Sequence, residues 1–372
     1  AVEDENGRIV SVVRNKELIQ FQRYAPSVLS REIARAANAE EVAQSCKRTP
    51  AVVKVLLDSG AHPRSITHMI SKITDAATER LIDLAINELG QPPTPFAFIA
   101  MGSQGRMEQT LLTDQDHAII FATPTEGVTQ PLTDYFLTLG NKVSQGLVQA
   151  GYPLCHGQVM ASNPRWCRPL ADWKTYFREW ICQAEPQELL DFCISFDFRP
   201  VYGAVELAQE LRGFIQAELT DQAEFFNHLA KNALDFSPPR RLFGRFYLGI
   251  GSPEHAGLNI KDCLMPIVSF ARLYALHHGI NQTHTLERLD ALVEKNVILP
   301  ASRDEITASY DFLMRLRLQR QTDALQSGHA PDNTIQPAKL GYIEEALLKQ
   351  AFAQIGAVQK KISFDFLGGT SL

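Results

Sequence analysis

The residues of this chain that could do chemistry are concentrated between positions 96 and 122. An apolar run, FAFIAM, ends at Gly102-Ser103, and a second apolar run, HAIIFA, directly follows Asp114 and Asp116. Two carboxylates this close together repel each other, and in a buried site the repulsion costs on the order of several kcal/mol unless a cation offsets it. Mg²⁺ is commonly held by one or two carboxylates together with substrate phosphates. The sequence therefore predicts that Asp114 and Asp116 bind a divalent cation.

The Gly-Ser segment is predicted to hold phosphate. Gly102 allows the backbone to approach a ligand closely, and Ser103 is a suitable N-cap for a short helix in QGRMEQTL. The free N–H groups at a helix N-terminus attract phosphate, and Arg106 could add a charge-assisted hydrogen bond. Together with the two aspartates, this predicts a site for a nucleoside triphosphate with magnesium, arranged for in-line phosphoryl transfer.

The elements that must position these residues follow from apolar periodicity. Strands are predicted at 95–101 and 116–122, followed by a helix at about 132–150. If the second strand extended back over 114–121, Asp114 and Asp116 would project from the same face. Residues 25–90 show helical spacing throughout, with Ser65 as a predicted N-cap and Gly90 as a helix stop. Beyond residue 165 the pattern is almost entirely helical.

The amino-acid composition limits the class of protein to which the chain can belong. The chain has 372 residues, 45% of them hydrophobic and 21% charged, with a net charge of −6. This charge argues against a general nucleic-acid binder, which would be basic. No apolar run approaches the ~20 residues of a membrane span. The six cysteines are scattered without zinc spacing, which predicts reduced thiols and a cytoplasmic protein.

At this point the chain resembles a known family. The pattern Gly-Ser, ten residues, Asp-x-Asp is similar to the signature of the DNA polymerase β-type nucleotidyltransferase superfamily. Within it, GSQGRMEQTLLTDQDHAII resembles the PII uridylyltransferase group. The chain is closer still to a bacterial family of predicted nucleotidyltransferases usually fused to CBS and cyclic-nucleotide-binding domains. Further matching segments are GYPLCHGQVMASNPRW, FDFRPVYG and LNIKDCLMPIVSFARLYAL.

The resemblance implies transfer of a nucleoside monophosphate from a nucleoside triphosphate to an acceptor hydroxyl, with Mg²⁺ or Mn²⁺. Gly102 and Ser103 would cradle the β- and γ-phosphates, and Asp114 and Asp116 would be the catalytic metal ligands. Arg106 would steady phosphate charge. The remaining nucleotide-binding residues implied are Glu108, which would anchor Arg106 or the turn, and Lys261, in NIKD, which could reach phosphate.

The implied partners are the nucleoside triphosphate and an acceptor on a regulatory protein, with no nucleic acid and no membrane. A homodimer is a further expectation, because CBS-linked chains often pair. Arg199 and Arg272 are candidate cleft charges, with ordinary ion pairs between helices as the alternative.

Two positions depart from the family pattern. The superfamily usually has a third carboxylate on a later strand, whereas the segment CHGQVMAS carries Gln158 and no acid. Asp197 is the nearest candidate, in a region with a helical pattern. Gln115 lies between the aspartates, where most relatives have an apolar residue. Without a third carboxylate, catalysis could be slow, use another base or be absent, while nucleotide binding would persist.

The expected fold is an α/β (α+β) nucleotidyltransferase domain with a small mixed sheet, flanked by mostly α-helical regions. The expected division is a CBS-domain remnant at 1–22, a helical linker region at 23–65, the nucleotidyltransferase domain at 66–200 and a helical substrate-binding domain at 201–372. The CBS prediction rests on the tight turn ENG before the β-rich RIVSVV, and a simple β-hairpin is its alternative.

Three interpretations of the site stay open. The first is an active transferase, and the second is a regulatory module that binds nucleotide without turnover. In the third, Asp114 caps a turn and Asp116 pairs with an arginine. The pattern does not favour a dinucleotide site of the dehydrogenase type, because the glycines do not form GxGxxG followed by an acid about 20 residues later.

Overall fold

The computed structural model of the protein describes residues 2–3, 9–11, 26–125, 127–183, 193–235, 240–242, 245–247 and 257–369. Its strands are β1 (Val2–Glu3), β2 (Ile9–Ser11), β3 (Phe96–Ala100), β4 (His117–Phe121), β5 (Cys167–Pro169), β6 (Arg199–Gly203), β7 (Arg240–Leu242), β8 (Arg245–Tyr247), β9 (Leu258–Asn259) and β10 (Thr334–Ile335).

Helices account for most of the described chain. They are α1 (Pro26–Arg35), α2 (Ala39–Cys46), α3 (Thr49–Asp58), α4 (Pro63–Leu89), α5 (Gly102–Gly105), α6 (Gln130–Gln149), α7 (Leu170–Gln183), α8 (Val205–Glu218), α9 (Ala223–Asp235), α10 (Ile260–His277), α11 (Thr285–Glu294), α12 (Pro300–Gln326) and α13 (Tyr342–Leu367). Short 3₁₀ turns lie at Pro164–Trp166, Cys193–Phe196 and Pro337–Lys339.

A four-stranded mixed sheet in the order β5-β4-β3-β6 forms the platform of the site. β3 pairs antiparallel with both β4 and β6, while β4 pairs parallel with β5. Every residue of β3 and β4 is buried. Because both faces of these strands are covered, their sequences are mostly apolar and do not alternate between polar and apolar residues. The mixed sheet flanked by helices confirms the predicted fold class.

Helices cover this platform and extend away from it. α4 packs against α1 and α6, and in the second half of the chain α10 packs against α11, α12 and α13. α10 is apolar around most of its circumference, because it lies inside this helical group. The site lies where the central strands of the sheet meet α10 and α12.

Most of the predicted elements are confirmed, with differences at their ends. The predicted strands at 95–101 and 116–122 are β3 and β4, and the predicted helix at 132–150 is α6. Gly90 ends α4 with φ +87°. The N-cap prediction for Ser65 is wrong, because α4 begins at Pro63 and the His62 side chain accepts the Arg64 N–H.

The domain division remains a prediction, although two of its boundaries fall inside regular elements. The boundary at 65/66 lies within α4 and the one at 200/201 lies within β6. Most of 1–22, where the CBS remnant is predicted, lies outside the described residues. What is described there is the antiparallel pairing of β1 with β2. Among the described helices, none is long and apolar enough to cross a membrane.

Two helix-interior glycines give a matched test of the packing. A Cβ on Gly140 of α6 would lie 2.3 Å from the Ala161 carbonyl oxygen, whereas one on Gly213 of α8 would meet nothing within 4 Å. We expect Gly140→Ala to lower the free energy of unfolding by about 1–3 kcal/mol through overpacking. Gly213→Ala should raise it by up to ~1 kcal/mol, because alanine favours the helix. Urea denaturation followed by circular dichroism measures both, and equal effects would contradict the packing of α6.

Candidate functional site

The Gly-Ser turn lies directly against the second aspartate. The Met101 N–H donates to the Asp116 carbonyl oxygen at 2.8 Å. Gly102 has φ +57°, and a Cβ there would lie 2.8 Å from Asp116 Oδ2. Only glycine therefore fits at this position, for both conformational and steric reasons.

One prediction about this turn is wrong. Met101, not Ser103, occupies the N-cap position, and Ser103 lies inside a helix of only four residues, Gly102–Gly105. Such a short helix has too few aligned peptides for a sizeable dipole. Phosphate binding at this turn must therefore depend on close approach of the backbone and on side-chain donors.

Asp114 and Asp116 precede β4 instead of belonging to it. The strand begins at His117, one residue after the predicted start at 116, and it does not extend back over Asp114 and Asp116. Their carboxylate oxygens nevertheless lie within 4.8 Å of each other and of Cys155 Sγ. Asp116 is buried, and its Oδ1 has no hydrogen-bond partner among the described residues. Burial, together with the nearby Asp114 carboxylate, raises the pKa of Asp116 to about 7.

The hydrogen bonds of the Gln115 side chain explain why a polar residue lies between the two aspartates. Its backbone N–H donates to the Pro153 carbonyl at 3.1 Å, and its amide donates to the carbonyls of Ser144 and Tyr152 at 3.1 and 2.8 Å. The third contact of this amide is between its Oε1 and His117 Nε2, at 3.0 Å. Gln115 therefore fixes the segment that starts at Tyr152 beside the two aspartates.

His117 fixes the far end of the same segment. Its Nδ1 accepts the Ala161 N–H at 3.1 Å, and its backbone N–H donates to the Val159 carbonyl at 3.1 Å. Because Nδ1 is an acceptor, the proton lies on Nε2 and is donated to Gln115. Burial lowers the pKa of His117 to about 3. The imidazole is therefore neutral and structural.

Behind the Gly-Ser turn lies a buried group of charges centred on Asp197. Its carboxylate receives Arg106 Nη1 at 2.8 Å, Arg272 Nη2 at 2.6 Å and Arg288 Nη1 at 2.7 Å. Burial alone would raise the pKa of Asp197, but the guanidiniums of Arg272, Arg288 and Arg106 outweigh it and hold the pKa well below its ordinary value. Asp197 is therefore ionised at any physiological pH.

Glu108 is the second carboxylate of this group. Its Oε2 accepts Arg106 Nε at 2.7 Å, and its Oε1 accepts the backbone N–H of Thr285, the first residue of α11, at 2.7 Å. The Glu108 N–H donates to the Ser103 carbonyl at 2.8 Å. Glu108 thus joins Arg106, the turn and α11.

A cavity of about 210 Å³ opens between the turn, the aspartates, α10 and α12. The structure brings every predicted site residue to its wall, namely Gly102, Ser103, Arg106, Glu108, Asp114, Asp116 and Lys261. Their roles remain predictions. Of the two candidate cleft charges, Arg272 lines the cavity and also pairs with Asp197. Arg199 does not line it, and pairs with Asp75 at 2.6 Å instead.

Lys261 lies in the first turn of α10, which Asn259 caps by accepting the Lys261 N–H at 3.0 Å. Arg272 lies eleven residues further along the same helix, about 16 Å away at 1.5 Å per residue. Both line the cavity. One face of α10 therefore carries a cation at each end of the site.

Several other lining residues were not predicted. Asn232 Nδ2 of α9 and the Tyr310 hydroxyl of α12 are buried and have no hydrogen-bond partner among the described residues. Arg317 of α12 also lines the cavity, and burial lowers its pKa to about 10. The spacing of Tyr310 and Arg317 puts them on one face of α12, but an apolar helix pattern does not show which face meets a cleft.

Asp197 does not fit the role of third catalytic carboxylate. It follows the 3₁₀ turn Cys193–Phe196 and precedes β6, so the helical prediction for this region is wrong. Its side chain is fully buried and does not line the cavity. A carboxylate held ionised by three guanidiniums is a poor proton acceptor, because its pKa lies far below neutral pH.

Comparison with known families identifies the class of protein. Residues 47–187 match the family model described as "Putative nucleotidyltransferase DUF294", and residues 223–366 match the one described as "Putative nucleotidyltransferase substrate binding domain". The two ranges cover most of the chain, and the protein belongs to this nucleotidyltransferase family. A search of curated proteins returned no significant match.

The charge group around Asp197 gives a prediction about stability. Asp197→Asn leaves three buried guanidiniums without their shared carboxylate, and we expect the free energy of unfolding at pH 7 to fall by about 3–5 kcal/mol. Since the folded-state pKa of Asp197 is depressed, its contribution is present above the unfolded-state pKa of about 3.9 and is lost as pH falls below it. Urea denaturation between pH 7 and pH 3 should show the difference between wild type and variant shrinking.

Asp332→Asn is the matched control. Asp332 accepts Arg320 Nη2 at 2.6 Å, but both side chains are about two-fifths exposed. Exposed pairs contribute roughly 0–1 kcal/mol, so this variant should be close to wild type. A loss at Asp197 no larger than the loss at Asp332 would contradict the structural role given to the buried group.

Proposed function

We propose that the protein transfers a nucleoside monophosphate from a nucleoside triphosphate to an acceptor hydroxyl, with Mg²⁺ or Mn²⁺. The observation that carries the proposal is the buried, unpartnered Oδ1 of Asp116. It lies beside Asp114, next to the Gly-Ser turn, on the wall of the same cavity. The alternative in which Asp116 pairs with an arginine is not supported, because no such pair occurs among the described residues.

The charge of the cavity favours a polyphosphate. Arg106, Arg272 and Arg317 line it, with Lys261 beside the aspartates. Burying several guanidiniums near one another is unfavourable without compensating anions. Glu108 and Asp197 compensate only part of this charge, because Arg288 shares Asp197 as well. A triphosphate tail would supply the missing negative charge.

Asp114 and Asp116 fit a divalent cation. Paired carboxylates with a free oxygen are the ligands that Mg²⁺ prefers, and a cation would remove the repulsion that raises the pKa of Asp116. When bound, the ion would neutralise and orient the phosphates. Gly102 and Ser103 would let the backbone contact the tail, while Arg106, positioned by Glu108 and Asp197, would donate to it. Lys261 would contact phosphate near the aspartates.

The acceptor would enter on the side of α10 and α12. Leu264, Met265 and Val268 of α10 and Met314 of α12 line that side. We propose a protein acceptor, as in signalling by the uridylyltransferase-like relatives, in a cytoplasmic, CBS-linked and dimeric protein. These last features rest on the resemblance of the sequence.

A second candidate is a regulatory module that binds nucleotide without turnover. The observation that favours it is the state of Asp197, which is held by three arginines and is unfit as a base. Of the described residues, the carboxylates that line the cavity are Glu108, Asp114 and Asp116. If the last two bind metal, the acceptor proton must go to another group or to solvent.

Nucleotide binding can be tested by thermal stability. A ligand that binds only the folded state stabilises it, by about 2.7 kcal/mol at a hundredfold excess over Kd. We expect Mg²⁺ with ATP or UTP to raise the Tm of wild type, and the double variant Asp114→Asn, Asp116→Asn to lose most of the shift. Asp323→Asn, an exposed aspartate on α12, should keep it. A full shift in the double variant would contradict the metal site.

Transfer of the nucleoside monophosphate is tested by following a label that becomes covalently attached to the acceptor. With an α-labelled nucleoside triphosphate and a lysate of the source organism as acceptor pool, we expect label to appear on a macromolecule and pyrophosphate to be released. Both should fall by at least about 100-fold in Asp116→Asn, because the metal ligands act as a unit. Nucleotide binding without label transfer or pyrophosphate release would favour the second candidate.

A further inference from the structure

Cys155 lies at the position where a third metal ligand would be expected. Its Sγ and the carboxylate oxygens of Asp114 and Asp116 all lie within 4.8 Å of one another. Sequence pattern alone does not single out Cys155, because it belongs to no Cys/His cluster. A lone cysteine near two acids would mean little, but Asp116 is 6% exposed and its Oδ1 has no hydrogen-bond partner among the described residues.

The surroundings of Cys155 hold its sulfur in place. Cys155 is half-buried, and its Sγ lies within 4.8 Å of an Asp116 carboxylate oxygen. The segment that carries it is fixed at one end by Gln115, through the carbonyls of Tyr152 and Pro153. At the other end His117 fixes it through Val159 and Ala161.

Gln115, between the two aspartates, and His117, directly after them, therefore position the side chain of Cys155. Gln115 and His117 alternate with Asp114 and Asp116 along the chain, and together they hold the segment 152–161 against the acids. Hydrogen bonds around a metal ligand that fix its orientation are typical of built metal sites. This arrangement also accounts for a polar Gln115 and for the absence of an acid in CHGQVMAS.

We propose that Cys155 Sγ binds the same divalent cation as Asp114 and Asp116, so that the site accepts a thiophilic ion such as Zn²⁺ or Co²⁺ more readily than an all-carboxylate site would. The inference rests on the proposed function, since it adds a third ligand to the metal site that this function uses. On binding, the thiol proton leaves to solvent and a sulfur lone pair forms the bond to the ion. Thiolate ligands favour zinc and its neighbours, whereas carboxylates alone favour Mg²⁺ and Mn²⁺.

The test uses Co²⁺ as a spectroscopic probe of the metal-free full-length protein. Wild type should develop sulfur-to-cobalt charge-transfer absorption in the near ultraviolet as Co²⁺ is added. Cys155→Ser should lose this band, whereas Cys182→Ser, which removes an exposed thiol on α7, should keep it. In competition experiments, the ratio of Zn²⁺ to Mg²⁺ affinity should fall by at least about tenfold in Cys155→Ser.

Cys155→Asp is the second variant, since it replaces the sulfur with a hard ligand. We expect it to bind Co²⁺ without the band and to shift the preference towards Mg²⁺. Co²⁺ bound to wild type by equilibrium dialysis without the band, or a band that survives in Cys155→Ser, would overturn the role of Cys155 and leave the aspartate pair intact. Failure of wild type to bind any Co²⁺ would overturn this inference and, separately, the metal site of the proposed function.

Discussion

The ion-pair group of Asp197 is the interaction on which the rest of the site depends. One fully buried carboxylate is shared by arginines from the end of the Gly-Ser turn, from α10 and from α11. A buried carboxylate contributes little net stability when it is well paired, but separating it from its partners is costly. The group therefore fixes the sheet and the helical half of the chain in one arrangement, and the cavity between them has a defined shape.

Weaker contacts beside the ion-pair group of Asp197 also hold the Gly-Ser turn and the segment after it in place. Thr283 Oγ1 donates to the Gly105 carbonyl at 2.8 Å, and the Gln321 amide of α12 contacts Leu111 N and Thr110 Oγ1 at 2.9 and 3.1 Å. Gly105 packs so closely on the Asp197 carbonyl that a Cβ would lie 1.8 Å from it. The Gly-Ser turn is thus held on both sides, which is what a rigid phosphate contact requires.

The sequence allowed two of the four sheet strands and part of the cavity wall to be predicted, because both depend on local pattern. Strands β3 and β4 are short apolar runs bounded by polar residues, and Gly102, Asp114 and Asp116 are unusual next to such runs. Arg106, Glu108 and Lys261 followed from the resemblance. Strand β6 was missed, because RPVYG is half-buried and begins two residues after a 3₁₀ turn with a helix-like composition.

What the sequence could not provide is tertiary pairing. Asp197 was a candidate for the third catalytic carboxylate, since its neighbours along the chain give no hint of Arg106 and Arg272, 91 and 75 residues away. The N-cap of α5 was misplaced for a related reason. Met101 takes the cap position because its N–H is already bound to the Asp116 carbonyl, a contact between two strands that no local propensity contains.

The site contains two groups of charged residues, one with excess negative charge and one with excess positive charge. A single ligand that carries both charges could compensate both groups. Around Asp116, carboxylates are in excess, and burial together with the nearby Asp114 carboxylate raises the pKa of Asp116 to about 7. Around Asp197 and Glu108, the three guanidiniums of Arg106, Arg272 and Arg288 exceed the two carboxylates. Moving the groups together would neutralise both, but the rigid turn between them prevents it. In the proposed function, a cation bound to a polyphosphate would compensate the first group with its metal and the second with its tail, so the folded protein would be arranged for that complex before it binds.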